Sequence, residues 1–140
     1  QFLPLDTPPE PEAVRALAET LTARRLLTPE QAAALDIPAL ARFLSSPLAA
    51  RIRAAKQTWR EYRFSLLTDA GLYDPAAAGE EMLLQGVADC VFETADGLTV
   101  VDFKTDRVTA EEAPRRAEVY RTQLNAYAGA LAKILQKPVT

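Results

Sequence analysis

Residues 82–103 constrain this chain more than any other stretch. Met82-Leu83-Leu84-Gln85-Gly86-Val87-Ala88-Asp89-Cys90-Val91-Phe92 and Leu98-Thr99-Val100-Val101-Asp102-Phe103 flank Asp96-Gly97, a dipeptide that signals a tight hairpin turn. Both runs are apolar at consecutive positions rather than alternate ones, the pattern of strands covered on both faces. A central hairpin of this kind needs helices around it, which points to an α/β (α+β) fold.

The acids in that hairpin carry the chemistry. With Asp96-Gly97 as a two-residue turn, Asp89 stands opposite Lys104 and Val91 opposite Asp102. Residues two apart on a strand share a face, so Asp89, Asp102 and Lys104 gather on one side. The two carboxylates then lie on a diagonal of about 7–8 Å, within reach of one cation between them. A four-residue loop keeps this parity and a three-residue loop destroys it. Ionised acids among apolar neighbours are costly unless paired or bound to metal. Two readings are therefore open at this point: a buried ion pair between Lys104 and Asp89, or a hard-cation site of oxygen ligands suited to Mg²⁺ or Mn²⁺. Asp102-Phe103-Lys104 suits phosphodiester hydrolysis, because carboxylates hold a metal that activates water while a lysine stabilises developing charge.

What the chain lacks narrows the chemistry further. It has 140 residues, no histidine and one cysteine, Cys90. Ser-His and Cys-His catalysis, the common zinc sites, an internal disulfide and a four-cysteine iron–sulfur cluster are excluded within this chain. No apolar run approaches the ~18 residues of a membrane span, and no signal-peptide pattern opens the chain. The net charge of −3 is unevenly distributed. Residues 51–63 hold Arg51, Arg53, Lys56, Arg60 and Arg63 against Glu61 alone, whereas residues 64–103 hold acids and no base. An acidic centre between basic segments fits a cation site beside a polyanion track, and equally a solvated helix face beside acidic loops.

Residues 1–57 read as a helical subregion of short, proline-punctuated helices. Val14, Leu17, Ala18 and Leu21 form an amphipathic stripe over 10–25. Thr28-Pro29-Glu30-Gln31 is a capping-box start, and Asp36 and Ser46 begin two more helices near 37–45 and 47–57. Residues 58–64 suit a strand, 69–80 a loop, and 113–136 a helix with Leu124, Ala128, Leu131 and Leu135 on one stripe. Lys137-Pro138-Val139-Thr140 reads as the start of another strand. On the last helix Gln123 and Tyr127 share a face, with Tyr120 one turn earlier. These side chains can bond or stack on a nucleic acid, or simply pack on the sheet. Arg115, Arg116 and Arg121 can hold a phosphate backbone or form a solvated face. Glu61 is a possible third acid or a partner of Arg60 and Arg63.

Three segments together resemble a known family: Gln85-Gly86-Val87-Ala88-Asp89, Val101-Asp102-Phe103-Lys104-Thr105-Asp106-Arg107, and Tyr120-x-x-Gln123-Leu124-x-x-Tyr127. They look like the RecB-type branch of the PD-(D/E)xK nucleases, most similar to the C-terminal nuclease domain of AddA-type helicase–nuclease subunits. The Leu-Leu-Thr-Pro-Glu-Gln-Ala segment and the Phe43-Leu-Ser-Ser-Pro-Leu helix extend the likeness over nearly the whole chain. The resemblance implies a single nuclease domain, residues 1–140, with a restriction-endonuclease-like core from residue 58: a mixed sheet with a central antiparallel hairpin flanked by helices. It implies Asp89, Asp102 and the Phe103 backbone carbonyl as ligands of Mg²⁺ or Mn²⁺, Lys104 as catalytic, and Glu61 as the family's acid on the first core strand. Gln123, Tyr127, Tyr120 and Arg107 would lie along the DNA. The implied parent is a cytoplasmic bacterial exodeoxyribonuclease that degrades a strand unwound from a broken duplex end, partnered by an AddB-like subunit and by helicase domains. No Walker A loop is present in the chain. The family's upstream metal-binding histidine is also absent, so a trimmed start just after that residue and an end before a final strand are expected. A DNA-binding or interaction module of the same fold, catalytically incomplete, is the alternative.

Overall fold

The computed structural model describes residues 3–106 and 108–139. The chain divides into two compact units, Phe2–Ala55 and Lys56–Thr140.

The first unit is built from α1 (Pro11–Ala23), α2 (Pro29–Ala33), α3 (Ile37–Leu44) and α4 (Pro47–Arg53). Each of the last three begins where a short polar side chain can satisfy an orphan N–H of the first turn. Thr28 and Gln31 form a reciprocal capping box, Asp36 Oδ1 accepts the Ala39 N–H at 2.9 Å, and Ser46 Oγ accepts that of Ala49 at 3.1 Å. Val14, Ala41 and Leu44 are the buried centre of this unit, with Leu3, Leu5, Ile37 and Leu40 packed around them. Arg53, one of the basic residues of segment 51–63, donates to the Leu5 and Leu44 carbonyls at 3.2 and 2.9 Å. It ties the unit together. α4 stops at Arg53 rather than near residue 57, and the Lys56 N–H already donates to the Glu93 carbonyl at 3.0 Å.

The second unit is a sheet of β1 (Gln57–Asp69), β2 (Glu81–Thr94) and β3 (Gly97–Val101), antiparallel in the order β1-β2-β3, with α5 (Ala113–Leu135) packed on it. A parallel bridge from Leu98 to Val139 makes the sheet mixed, so the C-terminal segment lies alongside β3 as the strand-like end of the sequence suggested. Phe64, Ala88, Val91, Leu98, Ala130 and Leu131 form the buried core. β1 runs five residues beyond Phe64, and loop 69–80 is ordered by Asp69, whose Oδ1 accepts the Gly71 and Gly79 N–H groups at 2.7 and 3.0 Å.

Two features of the sheet differ from the expectation. The hairpin turn is Ala95-Asp96, flanked by the pair Thr94–Gly97, and the register runs through Val91–Val100 and Cys90–Val101. Asp89 therefore does not face Lys104, nor Val91 Asp102. The register has moved by two residues because Gly97 belongs to β3, where its φ of +136° and the Pro138 carbonyl, 2.5 Å from where a Cβ would stand, demand glycine for packing rather than for the turn. A shift of two keeps the side-chain parity.

The second feature is a reversal of facing within β1 and β2. Tyr62, Phe64 and Leu66 pack into the core from one side of Glu61, and Trp59 packs into the same core from the other. On β2 the inward set changes likewise, from Leu84 and Ala88 to Val91. Uninterrupted alternation would put Trp59 and Tyr62 on opposite faces, yet their rings meet edge-on at 6.2 Å. At the reversal Glu61 has φ +51°, and the register omits the pair between Arg60–Cys90 and Tyr62–Ala88. A non-glycine residue held there costs about 1–3 kcal/mol, offset by the packing it permits. Cys90 and Phe92, of opposite parity to Val91, are nevertheless buried, so β2 is covered on both faces beyond the reversal.

Candidate active site

One step past the last hairpin pair, Cys90–Val101, lie Asp89 and Asp102. Continued by one step, the register sets these two acids opposite each other rather than on a diagonal, at the mouth of the strand pair. Asp89 Oδ2 accepts the Phe103 N–H at 2.7 Å, which fixes the chain just beyond β3 against β2. Asp102 has a side chain only 7% exposed and pairs through Oδ2 with the Lys104 ammonium. That oxygen is fully buried, and the ammonium is its partner. The Asp102 carboxylate holds the Lys104 ammonium above its ordinary pKa, with Tyr120 and Asp89 contributing.

α5 supplies the rest. Lys104 Nζ donates to Gln123 Oε1 at 3.4 Å, and Gln123 Nε2 donates to the Tyr127 hydroxyl at 3.1 Å. The Tyr127 ring meets Phe64 edge-on at 5.0 Å, and Gly86 lies beneath both. A Cβ on Gly86 would stand 2.7 Å from the Phe64 ring and 2.9 Å from Tyr127. The glycine three residues before Asp89 is there for that close approach. Lys104 also lies 4.6 Å from the Tyr120 ring centre, and Arg116 stacks on the same ring at 5.3 Å, so Tyr120 is flanked by two cations.

Asp106, unweighted as a site residue from the sequence, closes this network. It accepts from the Tyr120 hydroxyl at 2.7 Å and from Arg116 at 2.9 Å. The Arg116 guanidinium, then the Tyr120 hydroxyl, hold its carboxyl below the usual carboxylate range. Its position in an irregular segment after β3 gave no periodic signal, and it entered only within the Val101–Arg107 segment that carries the resemblance.

The expected residues thus fall into groups. Asp89, Asp102, Phe103, Lys104, Gln123, Tyr127 and Tyr120 come together. Glu61 does not join them: its side chain is exposed and makes no hydrogen bond or ion pair among the described residues, and no three acids gather there. Arg107 lies outside the described residues. Of the other arginines on α5, Arg121 pairs with Glu118.

Two acids side by side offer the oxygen donors that a hard divalent cation takes. The sequence profile of the PD-(D/E)XK nuclease superfamily matches residues 3–140. The chain belongs to the PD-(D/E)XK nuclease superfamily. This nuclease domain is 41% identical over 133 residues to the A-type subunit of the ATP-dependent helicase/nuclease of Acetivibrio thermocellus, covering 91% of the domain and 11% of that relative. It is 39% identical over 145 residues to the relative of the same name from Moorella thermoacetica, with 99% and 10% covered, and 35% identical over 148 residues to that of Bacillus velezensis, with 99% and 12% covered. The domain spans about a tenth of the length of the curated relatives it matches. No helix among its described residues is long and apolar enough to cross a membrane.

Proposed function

We propose that this domain is the divalent-metal-dependent exodeoxyribonuclease of a bacterial, cytoplasmic helicase–nuclease that processes double-strand break ends for recombinational repair. The observation that carries the reading is the pair Asp89 and Asp102, one step past the last hairpin pair, with the buried Asp102 carboxylate on the Lys104 ammonium. Asp89, Asp102 and the Phe103 carbonyl would hold Mg²⁺ or Mn²⁺, which when bound would supply activation of a water and polarisation of the phosphate. Lys104 stabilises charge as it develops on the scissile phosphate. Gln123 keeps the Lys104 ammonium on the α5 side, and Tyr127 braces Gln123. Tyr120, Gln123 and Tyr127, with Arg107, offer stacking and hydrogen-bonding groups to a single strand. The substrate is a strand from an unwound duplex end. The partners are an AddB-like subunit and the helicase domains of the same parent, the latter in keeping with the names of the relatives.

Labelled linear single-stranded DNA, incubated with Mg²⁺ or Mn²⁺ and with chelator, tests the reading against an Asp102→Ala variant. Cutting that needs metal and disappears in the variant supports it. Having only two acids together among the described residues favours a second reading, a DNA-binding module of the same fold with an incomplete metal shell. Metal-independent DNA binding with no cutting by either protein, or by a version extended upstream, would establish that alternative.

A further inference from the structure

Glu61 stands at the one place where the β1–β2 ladder is interrupted, and its register partner there would be Asp89. Its φ of +51° lies in the left-handed region, where a side chain is tolerated only when its surroundings impose it. On both strands the set of residues facing the core reverses across this point, from Phe64 and Ala88 to Trp59 and Val91. Asp89 is the β2 residue at the reversal, between the buried Ala88 and Cys90. Its carboxylate accepts the Phe103 N–H at 2.7 Å, across the hairpin on the β3 side. The Glu61 carboxylate is exposed and uncommitted among the described residues, and it is not grouped with Asp89 and Asp102.

We infer that Glu61 is a positioning residue that acts through its backbone: its left-handed conformation reverses the facing of the strands at Asp89, so that the Asp89 carboxylate meets the Phe103 amide, and the Glu61 carboxylate is dispensable. This rests on the nuclease reading only for its metal readout. The geometric part, from Glu61 to Asp89 to Phe103, can be read without metal. It differs from treating Glu61 as a third ligand, which requires the carboxylate and not the φ.

Three variants of the 140-residue chain separate these roles. Glu61→Gly and Glu61→Asn accept positive φ and remove the carboxylate; Glu61→Val also removes it but resists positive φ because of its β-branch. Two quantities are read: hydrogen-exchange protection of the Phe103 amide without metal, and Mn²⁺ affinity by calorimetry. The Gly and Asn variants are expected to keep both within about threefold of the parent, while Val weakens both by about tenfold or more, the scale of losing a partner that orients a ligand. Mn²⁺ binding weakened about tenfold in the Gly and Asn variants, with Phe103 still protected, overturns the inference and makes the carboxylate a ligand. Loss of Phe103 protection in those two variants overturns it also. Should the Val variant fail to fold, Glu61→Ala, which lacks the carboxylate and disfavours positive φ with less bulk, takes its place with the same expected losses. Should the parent bind no Mn²⁺, the nuclease reading fails, and the Phe103 protection series still decides the role of Glu61.

Discussion

The β2–β3 hairpin carries two largely buried carboxylates that meet lysines, and they are built in opposite ways. Glu93, with its side chain 10% exposed, is closed: Lys137 donates to Oε2 at 2.6 Å and Lys56 stands 3.7 Å from Oε1. Two cations serve one acid. Asp102 is served by one cation, the Lys104 ammonium on its Oδ2, and Asp89 beside it has no ion pair among the described residues. The Lys104 partner is shared further with Gln123 and the Tyr120 ring. A buried pair that only stabilises a fold satisfies its charges fully, because incomplete pairing in a low dielectric is costly. The excess negative charge at Asp89 and Asp102 is what a bound cation would offset.

The strongest test of this contrast exchanges the two sites. Asp102→Ala is expected to lower metal-dependent DNA cleavage by at least about a hundredfold, the scale of losing a principal electrostatic group of a site. Without metal its melting temperature should change little, because relief of the like charge on Asp89 opposes the release of Lys104. Glu93→Ala should do the reverse, lowering the melting temperature by releasing Lys56 and Lys137, while Mn²⁺ binding stays at the parent value. Cleavage assays with thermal melts on both variants check this, and a metal-binding loss in Glu93→Ala would break the distinction.

How far the sequence already showed these sites depends on which physical signal each residue carried. The caps at Thr28, Asp36 and Ser46 were legible because each is a local hydrogen bond between residues three apart. The grouping of Asp89, Asp102 and Lys104 was legible through strand parity, which survived a register shift of two. The register itself was misplaced because Gly97 signals positive φ without saying whether a turn or a tertiary contact needs it, and here the contact is with Pro138. Nothing local announces Glu61 as left-handed, since glutamate has no preference for that region; the packing of Trp59 and Tyr62 imposes it. The Asp106 contacts with Arg116 and Tyr120 depend on the path of an irregular segment, which periodicity does not describe.

A second test asks whether the Asp89–Asp102 pair depends on α5 in a way the closed pair does not. Gly86→Ala places a methyl against Phe64 and Tyr127 at under 3 Å, and overpacking of this kind costs about 1–3 kcal/mol. Tyr127 must move, and with it Gln123 and the tether on Lys104. Urea unfolding should show the lost stability, and cleavage should fall more than Mn²⁺ affinity, because the lysine moves while the acids remain. The Glu93 site has no member in this relay, so the exchange behaviour of its Lys56 N–H bond to the Glu93 carbonyl should not change. If Mn²⁺ affinity fell as much as cleavage, the two acids would depend on α5 as well.

The smallest expected effect concerns acid stability and belongs to the closed pair. The Lys137 ammonium, and after it Lys56, hold the Glu93 carboxyl below its ordinary value near 4.5. A carboxyl with a depressed folded-state pKa contributes stability that is fully present above the unfolded value and is lost as pH falls through the folded one. The Glu93 contribution should therefore be constant above about pH 5 and fade below pH 4.5. Glu93→Gln removes the titration, so its melting temperature should start lower at neutral pH and converge on the parent as pH falls. Parallel melting curves, with a constant gap down to about pH 3, would mean that the two lysines contribute through their side-chain packing rather than their charge.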